Sequence, residues 1–365
     1  MHSSDNLMEV EDIRLSKQIL DKIQQISGEI KRNITIMHIC GTHEYTIAKN
    51  GIRSLLPANV QVISGPGCPV CVCPATDIDI AVELCKRKDV ILTTFGDMMR
   101  VPSSRYSLLE LKAQGANIEV VYSPHDAIEI ARQNPSKEVV FFAIGFETTA
   151  PLVAFELAMK PPKNFSIICA YKLVPPAMDI ILSIPHLEID AFILPGHVCA
   201  IIGAEPFEPY AINYHSPMVV SGFGVNDMLI SIYQILKQVK ENRSKVENTY
   251  TRVVKREGNL QAQKFLSQVF MITDSFWRGI GKIPKSGYKL RLEYQEYDAV
   301  QKFGVKVNSN PSMPPGCSCN EVLIGKIPPK ECPLFGKSCT PQHPIGPCMV
   351  SHEGACKISY TFKNI

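Results

Sequence analysis

The chain has 365 residues, of which 45% are hydrophobic and 20% charged, a balance typical of a folded globular protein with two or three domains. The formal net charge of +3 is too small, and the lysines and arginines too scattered, for an electrostatic nucleic-acid surface. No apolar run approaches the roughly 20 residues that span a bilayer, and residues 1–32 lack the apolar core of a secretory signal. We therefore expect a cytoplasmic protein without nucleic-acid or membrane partners.

Apolar runs rich in β-branched residues alternate with segments of helical periodicity, a pattern that predicts parallel sheets covered by helices. Eight such runs are predicted strands, at residues 34–39, 60–64, 90–94, 118–122, 139–144, 166–170, 191–194 and 218–221. A polar, turn-forming stretch at residues 133–136 separates the fourth run from the fifth. The predicted fold is therefore α/β, with two similar units that each contain a four-stranded parallel sheet flanked by helices.

The C-terminal part of the chain has a different character. Residues 225–238 and 260–270 have helical periodicity, with an exposed charged stretch at residues 240–256 between them. From residue 308 onward prolines and cysteines are frequent, so this segment can form little regular structure and needs another source of order, such as bound metal. The predicted domains are residues 1–135, 136–225 and 226–365, the last of them helical and cysteine-rich.

Most of the predicted strands lead directly into small residues and polar side chains. These motifs are Cys40-Gly-Thr-His-Glu44, Gly65-Pro-Gly-Cys-Pro-Val-Cys71, Phe95-Gly-Asp97, Gly145-Phe-Glu-Thr-Thr149, Pro195-Gly-His197 and Gly222-Phe-Gly224. Ligands of open α/β sheets bind beyond the carboxyl ends of the strands, so the set predicts a site between the two units. Glycines that only close tight turns are the alternative, but the accompanying His, Asp, Glu and Cys side chains favour a site.

The thirteen cysteines favour metal or redox use over a secreted disulfide framework. The pair Cys68 and Cys71 indicates thiolate chemistry, because a C-x-x-C loop alternates between a disulfide and two soft metal ligands. A position just before a helix N-terminus would lower the pKa of such a thiol. A redox dithiol, a metal-linked pair and a pair of buried small residues all stay open. Cys73 is either a third participant or a core thiol.

Cys40 and His43 belong to the first strand-end loop, and their spacing could direct both side chains toward one crevice. His43 would then serve as a base or a hydrogen-bond donor. Asp97 follows the third strand and could orient the same site or take up a proton, although an ordinary helix cap is the alternative. The remaining cysteines of this region have no partner nearby in sequence and are expected to be buried, namely Cys85, Cys169 and Cys199.

Six further cysteines lie in the proline-rich segment, namely Cys317, Cys319, Cys332, Cys339, Cys348 and Cys356. Their spacing is not the paired C-x-x-C of common zinc ribbons. Apolar neighbours such as Leu334 and Phe335 could shield an iron–sulfur cluster from solvent. A 4Fe-4S cluster, a structural zinc site and disulfides all stay open on this pattern.

Together, and in this order, the motifs resemble the HypD family of nickel-iron hydrogenase maturation proteins. Cys40-Gly-Thr-His-Glu44, Gly65-Pro-Gly-Cys-Pro-Val-Cys71 and Cys348-Met-Val-Ser-His-Glu-Gly-Ala-Cys356 carry much of the likeness, which runs from about residue 34 to residue 360. The resemblance implies a cytoplasmic scaffold that partners the small chaperone HypC and receives cyanide from HypE. It would build an Fe(CN)2(CO) unit and deliver it to the hydrogenase large subunit, as a maturation factor with redox activity rather than a conventional turnover enzyme.

Carried over by position, the resemblance implies that Cys40, Cys68 and Cys71 bind the iron, with His43 and Asp97 as supporting polar groups. We accordingly expect Cys68, Cys71, His43 and Asp97 to carry the chemistry. The family's cluster spacing, C-x14-C-x6-C-x16-C, fits the four thiols Cys317, Cys332, Cys339 and Cys356. Cys319 and Cys348 would then be surplus to a 4Fe-4S cluster.

Two other functions fit the same residues. An iron–sulfur thiol-disulfide oxidoreductase would use Cys68 and Cys71 to reduce a protein disulfide, and it would turn over a disulfide substrate without binding cyanide. A zinc-stabilised interaction module would need the C-terminal cysteines only for folding.

Overall fold

The computed structural model describes residues 13–184, 187–307 and 313–362. These residues form two parallel β-sheets flanked by helices, an antiparallel hairpin and a C-terminal cysteine-rich segment, so the predicted α/β class is confirmed. No helix within those ranges is both long enough and apolar enough to cross a membrane.

All eight predicted strands are present, within two residues of their expected bounds. They are β1 (Ile34–His38), β2 (Val60–Ser64), β3 (Val90–Thr94), β4 (Ile118–Val120), β5 (Glu138–Gly145), β6 (Phe165–Tyr171), β7 (Ala191–Pro195) and β8 (Met218–Ser221). Three more strands follow that the sequence patterns did not predict, namely β9 (Val246–Asn248), β10 (Phe270–Trp277) and β11 (Gly281–Leu290). β9 lies within the stretch that was expected to be only exposed and charged.

The strands combine in an order that differs from the expected consecutive grouping. The first sheet has five strands in the order β2-β1-β7-β8-β9, and the second has four in the order β4-β3-β5-β6. All neighbours within both sheets are parallel. The chain therefore leaves the first sheet after β2 and returns to it at β7. The turn at residues 133–136 connects two strands of one sheet and does not separate two sheets, so the expected grouping of strands 1–4 and 5–8 is wrong.

The helices cover the sheets and connect the strands. They are α1 (Ile13–Glu29), α2 (Gly41–Lys49), α3 (Ile52–Leu55), α4 (Pro69–Val72), α5 (Ala75–Cys85), α6 (Leu108–Ala113), α7 (Pro124–Gln133), α8 (Ala150–Ala158), α9 (Val174–Leu182), α10 (Gly196–Ile202), α11 (Glu208–Asn213), α12 (Val225–Lys240), α13 (Leu260–Val269), α14 (Ala299–Phe303), α15 (Cys319–Leu323) and α16 (Ala355–Thr361). The two helices predicted in the C-terminal part are α12 and α13. Short 3-10 helices occur at Gly96–Arg100, Glu205–Phe207, Leu292–Tyr297, Pro329–Glu331 and Pro347–Met349.

Alternating side chains of each strand face different cores, as the period of a β-strand requires. In β1, Ile34 and Ile36 pack with α1 and α12, which cover one face of the first sheet. Met37 turns the other way, into a shared core that also receives Phe192 of the first sheet and Phe142 of the second. The shared core includes the loop with Cys68 and Cys71 and most of the C-terminal cysteines. Both thiol groups therefore lie in the protein interior.

Candidate metal centre

Four of the six strand-end motifs meet at one edge because their strands are neighbours in the first sheet. Cys40 follows β1, the Cys68 loop follows β2, His197 follows β7 and Gly222 follows β8. The two remaining motifs, which follow β3 and β5, belong to the second sheet. The thiols predicted to act together thus come from adjacent strands of a single sheet.

Gly67 places the C-x-x-C loop directly against Cys40. The Gly41 N–H donates to the Gly67 carbonyl oxygen over 3.1 Å. A Cβ atom on Gly67 would overlap the backbone of Cys40, so no larger residue fits at that position without movement of the chain. The glycine is therefore what allows the loops after β1 and β2 to touch.

Cys68 and Cys71 form a disulfide, with their Cα atoms 5.3 Å apart. Cys68 is the residue before α4, where its sulfur accepts from the Cys71 N–H at 3.2 Å, and Pro69 occupies the first helical position. The two cysteines are 3% and 0% exposed. The loop is thus in its oxidised form in this structure, and it lies under other parts of the chain.

Cys40 precedes α2, but its thiol is not activated by the helix terminus. Burial raises the pKa of Cys40 to about 12, with a further contribution from the negative charge of Glu353, and both outweigh the N–H groups of α2 that would lower it. The Cys40 Sγ atom lies 3.9 Å from His197 Nε2. Burial lowers the pKa of His197 to about 4, so its imidazole is neutral near pH 7. Cys40 is therefore a protonated thiol beside a neutral base.

The side chain of His43 is bonded to the loop after β8, and its role as a base or hydrogen-bond donor at the site stays a prediction. Its Nε2–H donates to the Gly222 carbonyl oxygen over 2.9 Å, and its ring centroid lies 5.1 Å from that of Phe223. Burial, together with the nearby His38 and His197, lowers the pKa of His43 well below its ordinary value. His43 thus connects α2 to the loop after β8 by a hydrogen bond. The histidine beside Cys40 is His197, whose Pro-Gly-His motif was noted in the sequence but given no role.

Glu44 anchors the other side of α2. Its carboxylate accepts from Arg53 at 2.6 and 3.0 Å and lies 2.7 Å from His38 Nε2. Although burial alone would raise the pKa of Glu44, Arg53 and His38 together lower it to about 2. The acidic residue of the Cys-Gly-Thr-His-Glu motif is thus a structural anion that holds α2 on β1 and α3.

A short C-terminal segment joins the two sheets next to Cys40. Ser351 Oγ donates to Asp97 Oδ2 over 2.7 Å, beyond the end of β3. Thr42 Oγ1 donates to Glu353 Oε1 over 3.3 Å, beyond the end of β1. Asp97 therefore binds the C-terminal segment, and its predicted role at the site stays a prediction. Ser351 and Glu353 belong to the motif from Cys348 to Cys356 that carries the family resemblance, but nothing in that motif predicts their contacts with Asp97 and Thr42.

The six C-terminal cysteines divide into a disulfide and four free thiols. Cys319 and Cys348 are joined, and the residues Pro347–Met349 pack against α4 of the C-x-x-C loop. The free thiols are Cys317, Cys332, Cys339 and Cys356. The charges of the other three add to burial in raising the pKa of Cys356, so all four lie close together.

Neither thiol group is arranged around a single metal ion. Within residues 13–184, 187–307 and 313–362, no three His, Cys, Asp or Glu side chains are placed to hold one. The closed disulfide accounts for Cys68 and Cys71, which cannot act as thiolates while they are joined. Thiols that hold an iron–sulfur cluster each bind a different iron atom, so such a set need not converge on one point.

Comparisons with known proteins identify one family, whose model covers nearly the whole chain. The family model HypD, described as "Hydrogenase formation hypA family", matches residues 14–363. The chain belongs to the HypD family of hydrogenase maturation factors. A hydrogenase maturation factor HypD2 of Bradyrhizobium diazoefficiens is 45% identical over 94% of this chain and 93% of its own length. A hydrogenase maturation factor HypD of Escherichia coli is 42% identical over 96% of this chain and 95% of its own length.

A similar protein also occurs in Methanocaldococcus jannaschii. This putative hydrogenase expression/formation protein is 43% identical over 98% of this chain and 100% of its own length. The residues matched by the HypD family model include all six strand-end motifs and the C-terminal cysteines, from Cys40 to Cys356. The resemblance noted in the sequence is therefore confirmed, while the roles of individual site residues stay predictions.

Proposed function

We propose that this HypD-family chain is the scaffold on which the Fe(CN)2(CO) unit of nickel-iron hydrogenase is assembled. Its partners are a small HypC-type chaperone and a HypE-type cyanide donor, and the finished iron unit passes to the hydrogenase large subunit. In this proposal the iron is cargo that enters and leaves. The observation that carries it is the contact of Gly67 with Cys40, which places three cysteines of two motifs at one edge of the first sheet.

Cys40, Cys68 and Cys71 are the proposed iron ligands. Cyanide and carbon monoxide are strong-field ligands suited to low-spin Fe(II), and thiolates suit such an iron until it moves to another thiolate site. A thiol loses its proton when it coordinates a metal, even where burial raises its pKa as it does at Cys40. His197 Nε2, 3.9 Å from Cys40 Sγ, accepts that proton in the tautomer that carries hydrogen on Nδ1.

The Cys68–Cys71 disulfide supplies a switch between binding and release of the iron unit. Two electrons and two protons from a dithiol reductant, which itself becomes a disulfide, convert the pair to thiols that can bind the iron. A disulfide oxidant that takes up the two electrons, and two protons from water, becomes a dithiol; this re-forms the Cys68–Cys71 bond and removes both iron ligands at once. His43 and Asp97 support this centre by position, since one ties α2 to Gly222 and the other ties the C-terminal segment to the end of β3.

Cys317, Cys332, Cys339 and Cys356 are the proposed ligands of a 4Fe-4S cluster. Two observations support the fit of these residues to such a group. Burial and the nearby Cys332 and Cys339 raise the pKa of Cys317 to about 11, as expected for buried thiols that lie close together. The Ile345 N–H also donates to Cys339 Sγ over 3.3 Å, a contact of the kind that tunes cluster sulfurs. When bound, the cluster would exchange single electrons.

A thiol-disulfide oxidoreductase is the second candidate, and the disulfide itself favours it. Cys68 and Cys71 are already paired, and the second disulfide, Cys319–Cys348, lies against the same helix α4. This function requires that the protein turns over a disulfide substrate in many cycles. The scaffold function requires only one reduction of the Cys68–Cys71 disulfide for each iron unit.

Infrared spectroscopy of the protein purified with its small chaperone separates the two candidates. The scaffold predicts cyanide and carbonyl bands that disappear in Cys68→Ala and in Cys71→Ala but persist in the control Cys85→Ala, which removes a buried thiol outside the site. Unchanged bands in both site variants would refute the proposed ligands. Turnover of a disulfide substrate without such bands would instead establish the oxidoreductase.

A further inference from the structure

Arg278 lies in the protein interior between the two thiol groups. It follows β10, and its backbone N–H donates over 2.8 Å to the carbonyl oxygen of Val72, the last residue of the C-x-x-C helix α4. A Cβ atom on the next residue, Gly279, would lie 2.9 Å from the Cα atom of Asn320 in α15, beside Cys319. The backbone around Arg278 therefore touches the C-x-x-C loop on one side and the C-terminal cysteine-rich segment on the other.

The Arg278 side chain is a buried cation with unused hydrogen-bond donors. The residue is 2% exposed. Its Nη2 donates to the Pro102 carbonyl oxygen over 2.9 Å, whereas Nε and Nη1 have no partner among the residues that the structure describes. A buried guanidinium is costly unless negative charge compensates it. Arg278 therefore has the properties of a group that is completed by a nearby anion.

Four groups interact with the charge of Arg278, namely Cys73, Asp79, Asp77 and Cys317. Burial outweighs them and lowers the pKa of Arg278, although a guanidinium stays protonated in proteins. Both carboxylates have other partners, since Asp77 accepts from Lys172 Nζ over 3.3 Å and Asp79 accepts from a serine hydroxyl over 2.6 Å. Within the described ranges, neither they nor any other carboxylate forms an ion pair with Arg278.

The sulfur atoms are then the neighbours that can balance this charge. Cys73 Sγ donates to the Pro74 carbonyl oxygen over 3.7 Å, so Cys73 acts as a neutral thiol. Cys317 is one of the four proposed cluster ligands, and a ligating cysteine is a thiolate. Binding of a cluster would thus bring negative charge to the Cys317 side of Arg278.

We propose that Arg278 raises the reduction potential of the 4Fe-4S cluster held by Cys317, Cys332, Cys339 and Cys356. The inference rests on the cluster of the proposed function and assigns a residue that tunes it. The potential of such a cluster depends on its net charge and on hydrogen bonds to its sulfurs. Because one-electron reduction adds negative charge, the Arg278 cation stabilises the reduced form more than the oxidised form. Salt and water screen this interaction little, since Arg278 is buried.

Potentiometric titration of the full chain tests this proposal. The protein is reconstituted anaerobically with iron and sulfide and reduced stepwise by dithionite with redox mediators, while the absorption at about 400 nm reports the oxidised fraction. Arg278→Gln and Arg278→Met remove the charge. In both we expect the equilibrium constant for one-electron reduction to fall about tenfold, which lowers the potential by about 59 mV. Arg278→Lys keeps the charge, so this constant should stay within about twofold of the unmodified protein.

Arg105→Met is the matched control. Arg105 lines the same surface cavity as Arg278 but is exposed, so water and salt screen its charge and its removal should leave the potential unchanged. An unchanged potential in both neutral variants, an equal fall in Arg105→Met, or a tenfold effect of Arg278→Lys overturns the proposal. If neither neutral variant folds and takes up iron, Arg278→Lys decides, because its potential stays unchanged only if the positive charge is what matters.

Iron and sulfide analysis separates this inference from the proposed function. Absence of a cluster from the reconstituted unmodified protein would overturn the inference together with the proposed cluster ligands. A cluster whose potential does not respond to Arg278 would overturn the inference alone. Neither result alters the infrared test of Cys68 and Cys71.

Discussion

Ser351 Oγ donates a 2.7 Å hydrogen bond to Asp97 Oδ2, which joins the C-terminal cysteine-rich segment to the end of a strand in the second sheet. Ser351 is 1% exposed, so its hydroxyl has little access to water. Ser351→Ala leaves that carboxylate oxygen with only the longer bond from the His352 N–H, at 3.4 Å. We expect the free energy of unfolding to fall by about 1–3 kcal/mol, as for a buried polar group that loses its partner.

Urea titration measures this loss as a lower midpoint at an unchanged slope. Ser267→Ala is the control, because Ser267 is exposed and its hydroxyl only bonds one turn back to Lys264 O. It should shift the free energy of unfolding by less than about 0.5 kcal/mol. Equal midpoints for the two variants would contradict the role given to Ser351.

Gly67→Ala should separate the C-x-x-C loop from Cys40. The added methyl group would overlap the Cys40 backbone, and we expect a loss of about 1–3 kcal/mol together with faster alkylation of the Cys40 thiol by iodoacetamide. Gly28→Ala is the matched control. Apart from its own stretch of helix, no atom lies within 4 Å of the Cβ position of Gly28 in α1, so this variant should gain about 0.5–1 kcal/mol and leave the alkylation rate unchanged. Identical alkylation rates in both variants would mean that the two loops are not held by this contact.

Glu147 should make stability depend on pH. Burial raises the pKa of this carboxyl from 4.5 to about 8, and its Oε2 has no partner among the described residues, while Oε1 accepts from the Val174 N–H over 2.9 Å. Between these two pH values the folded protein holds a proton that the unfolded chain has released. Stability is therefore lost as the pH rises through this window, by at most about 1.4 kcal/mol per pH unit.

Glu147→Gln retains the acceptor for Val174 and removes the titration, so the variant should gain stability over the unmodified protein as the pH rises from 4.5 to about 8. Unfolding curves at several pH values measure the difference. The control Glu119→Gln changes an exposed carboxyl on β4 and should show no such trend. A constant difference between Glu147→Gln and the unmodified protein would rule out a buried neutral acid.

Removal of single cysteines should distinguish cluster ligands from the second disulfide. After anaerobic reconstitution with iron and sulfide, we expect Cys339→Ser to lose the broad absorption at about 400 nm that thiolate-bound iron gives. The double variant Cys319→Ser/Cys348→Ser should keep it, because these two cysteines pair with each other in the structure. Iron and sulfide analysis checks both results. If Cys339→Ser kept the absorption and the double variant lost it, Cys319 and Cys348 would be cluster ligands and Cys339 would not.

The local pattern of the sequence was sufficient for the strands but not for their partners. The eight apolar runs are recognisable because each is short, contains β-branched residues and ends at a turn. The residues of β3 or β7 do not indicate which strand lies beside each of them, since every sequence offers the same backbone donors and acceptors. The hairpin of β10 and β11 was missed because exposed apolar residues such as Met271 and Ile272 adjoin buried ones without strict alternation.

The sequence alone determined the family, the eight strands and the six motifs at their ends, because each of these depends on residues that are adjacent in the chain. Only the tertiary structure decided which ends meet. Pairing of β1 with both β2 and β7 places Cys40 between Gly67 and His197. The tertiary structure also decided the protonation states of Cys40 and Glu147, since the pKa of each depends on its burial. Burial and strand order depend on many contacts between residues that are distant in sequence, so no local motif determines them.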